Sequence, residues 1–147
     1  MPAKSSPFSA EEEALIAAAD AAVAQLSTSY RQALEADATR LDAALAAAEA
    51  PDARDRNLAD VFTIAHDMKG QAGSFGYDLL AQIAHGLCAQ LRAAVPAGPR
   101  DVEIASVYAR AIRFVVEKDL RGDGGAIGGK MLAELVQLSA RTKAAAG

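Results

Sequence analysis

Apolar positions recur in steps of three or four residues along most of the chain, the period of amphipathic helices. The longest stripe runs Val23, Leu26, Tyr30, Leu34, Ala38, Leu41, Leu45, Ala48. Its phase holds across Ser27-Thr28-Ser29, the one candidate bend. The pattern predicts a single helix from about Ala10 to Ala48, roughly 58 Å long at 1.5 Å per residue. A rod of that length exceeds the height of a small bundle. Its first turns are expected to overhang or to pack on another subunit. Ser9 and Glu12 have capping-box spacing, Glu11 to Glu13 suit the positive end of the helix dipole, and Pro51 stops the run.

A second helix is predicted from about Asp55 to Gly73, with Leu58, Val61, Ala65, Met68, Ala72 and then Phe75 as its core side. Gly73-Ser74-Phe75-Gly76 reads as a turn. A third helix starts near Asp78, buries Leu80, Ile83, Leu87 and Leu91, and ends by Pro96. Asp101 is a plausible N-cap for a fourth, with Ala105, Tyr108, Ile112, Val115 and Leu120 inward. Gly122 to Gly129 reads as a mobile glycine-rich loop, and Lys130 to Lys143 as a short last helix through Met131, Leu135 and Leu138. No strand pattern or internal repeat is present. The fold expected is all-α: an antiparallel up-down four-helix bundle with a long N-terminal helix and a short C-terminal helical appendage. Residues 1–9 would be a flexible lead-in, 10–121 the bundle, and 122–147 the loop and last helix.

Composition narrows the function. The 147 residues are 52% hydrophobic, but much of that is alanine and only 5% is aromatic. Alanine is the strongest helix former and lets helices pack closely. The net charge of −4 gives no electrostatic case for nucleic acid or an anionic membrane. A single cysteine, Cys88, excludes an internal disulfide and a cysteine-based zinc site. Met1 to Ser9 lacks the apolar core of a signal peptide, and no segment is apolar enough to span a bilayer. The expectation is a cytoplasmic protein.

The chemistry concentrates in Ala65-His66-Asp67-Met68-Lys69-Gly70-Gln71-Ala72-Gly73-Ser74-Phe75-Gly76. Lys69 and Gly70 follow His66 at i+3 and i+4, so the three share a helix face. At about 100° per residue, His66 lies roughly 120° from the centre of the core stripe and faces outward. Its face also carries Ala59, Phe62 and Gly73, with Lys69 on the edge toward the core. Each glycine in a helix costs about 1 kcal/mol relative to alanine. Two beside an exposed histidine suggest a surface that something must approach closely, with Phe62 as its apolar contact. The second histidine, His85, is predicted to face solvent without a role.

His66-Asp67-Met68-Lys69-Gly70 followed by Gly73-Ser74-Phe75-Gly76 resembles the histidine phosphotransfer (HPt) domain family, whose pattern is His-x-x-Lys-Gly, small residues, then an apolar residue and glycine. The match has no gap, and the resemblance covers about Tyr30 to Arg121. It implies a four-helix bundle that carries phosphate on a histidine in a multistep phosphorelay. Imidazole, with an unperturbed pKa of about 6.5, is nucleophilic near neutral pH. His66 would be the phosphoryl acceptor, and Lys69 would neutralise the phosphate as a point charge. Phe62, Gly70, Gly73 and Ala59 would dock the partner. The partners implied are receiver domains of response regulators or hybrid histidine kinases. They would bring the aspartate and Mg²⁺, leaving this chain with no cofactor or metal of its own. The chain would be a phosphocarrier and not a kinase. Family members often set a glutamine of the next helix against the imidazole. The equivalent position here is Cys88, so the resemblance does not say what orients His66. Arg92, one turn on, would add positive charge.

Two other classes compete. Gly124-Gly125-Ala126-Ile127-Gly128-Gly129-Lys130-Met131 nearly spells a P-loop. Met131 stands where a Mg²⁺-binding hydroxyl is needed, and the segment before it reads as a helix instead of a strand. The alternative closest to the HPt reading is a helical interaction module that binds a receiver or a partner helix without taking phosphate. A metal-binding bundle would want Glu-x-x-His repeats, but Thr63 and Gln82 precede the two histidines.

Overall fold

The computed structural model describes residues 6–94 and 96–146. Part of the predicted lead-in, residues 1–5, lies outside them. Helix α1 spans Ala10–Ala47, α2 Arg54–Ala72, α3 Asp78–Ala93, α4 Pro99–Glu117 and α5 Gly125–Ala146, and the described residues contain no strand. Helix α1 packs on α2 and α4, and α3 on the same two, which closes a four-helix bundle. Helix α5 lies against α3 and α4.

Local signals account for most boundaries. Ser9 Oγ accepts the Glu12 N–H at 3.1 Å and caps α1. At its other end Arg54 reaches back to the carbonyls of Ala48 and Glu49 at 3.2 and 3.3 Å, supplying the positive charge that the last turn of α1 lacks. Pro51 opens a short 3₁₀ turn, Pro51–Ala53. Gly76, at φ +82°, ends the 3₁₀ turn Gly73–Phe75 and turns the chain into α3.

Asp101 is not the N-cap of α4. The helix begins two residues earlier, with Pro99 in its first turn, and Asp101 accepts the Gly98 N–H at 2.7 Å. A proline loses nothing at that position because its missing N–H would be unpaired anyway.

The glycine-rich stretch also differs from expectation. The last helix starts at Gly125, not Lys130. Gly122 is tied to the α2–α3 turn through both backbone groups: its N–H donates to Gly76 at 2.6 Å and its carbonyl accepts from Leu79 at 2.8 Å. Gly122, Gly124 and Gly125 have φ between +61° and +74°, and a Cβ on Gly124 would stand 2.5 Å from the Leu79 side chain. These glycines form a tight corner instead of a mobile linker. A helix precedes the corner and another begins within it, so the P-loop context is absent.

The core is continuous and apolar. Every predicted inward residue of α2, α3 and α4 is buried or packed against it. Ile64, Leu79, Val102 and Ile104 join them. Tyr30 stacks on Phe75 with ring centroids 4.2 Å apart, and Tyr77 donates to Asp119 at 2.5 Å. Arg113 holds Asp42 of α1 through two contacts of 2.9 and 2.6 Å. Tyr108 meets Ser139 at 2.9 Å and joins α4 to α5.

The long first helix divides into two halves. From Tyr30 to Ala48 its stripe is core, whereas Val23 and Leu26 are 62% and 60% exposed. The regular phase is intact, but the bundle ends before it reaches them.

Candidate functional site

The middle of α2 presents His66 to solvent. Its side chain is 53% exposed, as the angle from the core stripe requires. The imidazole stacks on Phe62, one turn earlier, with centroids 5.9 Å apart and planes inclined by 26°. Nδ1 lies 3.8 Å from the Asp67 carboxylate, beyond hydrogen-bonding reach.

Phe62 is half-buried against the core. Arg92, in the last turn of α3, places its guanidinium 5.2 Å from the Phe62 ring centre, within cation–π range. A chain of contacts therefore runs Arg92–Phe62–His66. Cys88, one turn before Arg92, is fully buried beneath this patch. Its thiol points to the Phe62 carbonyl at 4.0 Å and not to the imidazole. Burial pushes the Cys88 thiol up, against the opposing pull of Lys69 and Arg92.

Lys69 is half-buried on the core edge of the face, and Gly70 and Gly73 are exposed beyond it. Neither glycine has a positive φ. A Cβ on either would meet nothing within 4 Å. Ala59, on the same face, is exposed. The structure thus brings His66, Phe62, Lys69, Gly70, Gly73, Ala59 and Arg92 to one side of the bundle, with Cys88 below.

Sequence reasoning does not find two features of the surroundings. One is the Arg92–Phe62 contact, whose partners are 30 residues apart on different helices. The other is a shallow groove beside Lys69, lined by Gln82, His85 and Gly86 of α3 and by Leu132 and Val136 of α5. The only sequence signal for it is Val136, a large apolar residue that ends up 67% exposed on the last helix. Among the described residues no group of three or more His, Cys, Asp or Glu side chains is placed to hold a metal ion. No described helix is long and apolar enough to cross a membrane.

In comparison with known proteins, a family model described as "Hpt domain" matches residues 25–140. No curated protein and no solved structure matches the chain.

Proposed function

The chain belongs to the Hpt domain family, which serves phosphotransfer in two-component phosphorelays together with receiver domains, and we propose that His66 is its phosphoryl carrier. The observation that carries this reading is the pairing of a half-exposed imidazole with two neighbouring glycines that nothing inside the chain requires. Gly70, inside α2, gives up about 1 kcal/mol relative to alanine and gains clearance for another molecule, and Gly73, the C-cap of α2, leaves the same face open.

In this reading the neutral His66 imidazole attacks the phosphorus of an aspartyl phosphate on a receiver domain. The N–P bond forms as the P–O bond to the aspartyl carboxylate breaks, and that carboxylate leaves with the electron pair. Return of the group to a second aspartate reverses the step. The receiver supplies the aspartate and its Mg²⁺, which neutralises charge on the phosphoryl oxygens. Lys69 meets those oxygens from the carrier's side as a point charge. Phe62 fixes the plane of the imidazole by stacking, the role left open by Cys88, and Arg92 anchors Phe62 from α3. Gly70, Gly73 and Ala59 let the receiver approach.

The test is transfer from a phosphorylated receiver domain with Mg²⁺ present. Wild-type chain should take up label and His66→Ala should take up none. Equal labelling of the two would remove His66 from the chemistry. Binding without labelling would favour the alternative, a module that docks a receiver or partner helix without accepting phosphate.

A further inference from the structure

Residues 10–29 project beyond the bundle as the first half of α1, nearly all of them exposed. Of their large apolar side chains, Leu15 stands to one side of the others, 71% exposed, and the rest fall in register. Ile16, Val23 and Tyr30 are spaced by seven, as are Ala19 and Leu26. Together they make the alternating three-and-four step of a coiled-coil seam. From Tyr30 onward the stripe is bundle core. Before it, Ile16, Val23 and Leu26 are 42%, 62% and 60% exposed.

We propose that this overhang pairs with the overhang of a second copy of the chain, antiparallel, as a short two-stranded coiled coil. Charge selects both the occupant and the direction. Between Ala10 and Tyr30 the chain carries Glu11, Glu12, Glu13 and Asp20 and no lysine or arginine. Helices that lie on a bilayer carry basic residues on the polar face, and this one has none. A parallel pair would set the three glutamates of one copy against the same three of the other. An antiparallel pair centred on Ala21 sets Glu11 against Arg31 of the second copy, the first basic residue the rod reaches. The Arg31 side chain is 44% exposed, and its ion pairs with Glu35 and Asp119 are long, at 3.9 Å each. The same alignment sets Ile16 against Leu26 and Ala19 against Val23, so the bulkier pairs lie at the two ends of the seam and the smaller pairs between them. The two bundles then sit at opposite ends of a shared rod. His66, on α2, lies outside the seam, so a dimer presents two phosphotransfer faces.

The test is the mass of the full chain in solution as a function of concentration. The expected result is approach to twice the 15.2 kDa chain mass. Val23→Lys with Leu26→Lys, at exposed positions, should give a monomer whose thermal unfolding matches that of the wild type. Direction is read under mild oxidation from variants that each add one cysteine on the rod, the native Cys88 being fully buried. Ile16→Cys and Leu26→Cys should cross-link when mixed and neither should cross-link alone, because like positions stand about 15 Å apart along an antiparallel rod. A chain that stays monomeric up to millimolar concentration overturns the proposal. So does a dimer that survives the double lysine change, and so does self-cross-linking of each variant. A monomer that binds zwitterionic lipid vesicles through this half of α1 also overturns it, in favour of a lipid surface.

Discussion

Replacing Gly70 by alanine should make the protein more stable and a worse carrier. The stability side follows from the helix. Gly70 lies in the last turn of α2 with ordinary helical backbone, and a Cβ there meets nothing within 4 Å. The substitution carries no steric cost, and removing glycine's extra backbone entropy is worth about 0.5–1 kcal/mol. For a chain of this size that is a rise in Tm of about 1–4 °C. The transfer side follows from the proposed docking face. One methyl group at the point of closest approach displaces the phosphoryl donor, and misplacement by about 1 Å can cost about a hundredfold in rate. Gly70→Leu should block transfer almost completely while folding normally. The assay pairs thermal unfolding by circular dichroism with the rate of phosphate uptake from a phosphorylated receiver. The opposite signs are the diagnostic feature, since a merely structural role would move both quantities together. Wild-type transfer rates in Gly70→Leu would refute the docking surface. A lower Tm in Gly70→Ala would refute the account of the local helix.

Other expectations follow from the same geometry. Lys69→Ala should slow uptake and shorten the lifetime of the phosphorylated state, and Lys69→Arg should restore much of both; a lifetime unchanged in Lys69→Ala would remove Lys69 from contact with the phosphate. Phe62→Ala should lower the transfer rate more than Phe62→Tyr, because tyrosine keeps the ring that stacks on His66 and carries Arg92; equal rates would leave the imidazole oriented by something else. Asp119 is held below the usual carboxylate range, first by the hydrogen bond from Tyr77, with Arg121 and Arg31 acting in the same direction. A depressed carboxyl stabilises the fold above its ordinary pKa, and that contribution is lost as pH falls through the lower folded value. Tyr77→Phe should therefore lower stability at neutral pH and show a smaller further loss on acidification, as read by denaturant unfolding at several pH values. At the alkaline end burial pushes Tyr30 and Tyr77 up to about 12, so both stabilise the neutral-pH fold and that contribution fades as pH rises from about 10 through 12.

The bundle is legible in the sequence because its helices keep a strict phase. Leu58, Val61, Ala65, Met68 and Ala72 each fall on the predicted side, and the same angular argument turns His66 outward. Periodicity cannot say where a stripe stops being covered. Val23 and Leu26 have the same pattern as Leu34 and Leu41, and only the height of the neighbouring helices separates them. The corner at Gly122–Gly125 was hidden for a related reason. Glycines in a row signal conformational freedom, but whether they loosen the chain or let it turn tightly depends on partners such as Gly76 and Leu79. Asp101 shows the limit of capping rules: its carboxylate does serve the start of α4, though from inside the helix. At the site, the i, i+3 and i+4 spacing of His66, Lys69 and Gly70 is fixed by a single helix and can be read from order alone. Arg92 over Phe62 needs the packing of α3 on α2, which order alone does not contain.

The most direct test of the central claim is the chemical nature and position of the bound phosphate. The chain is phosphorylated from a receiver domain, treated with acid or base, and mapped by mass spectrometry under alkaline conditions. The account predicts one phosphate per chain, lost in acid and retained in base, on the peptide that contains His66 and absent from His66→Ala. Acid-stable phosphate, or phosphate on any peptide that survives the His66→Ala change, would contradict it.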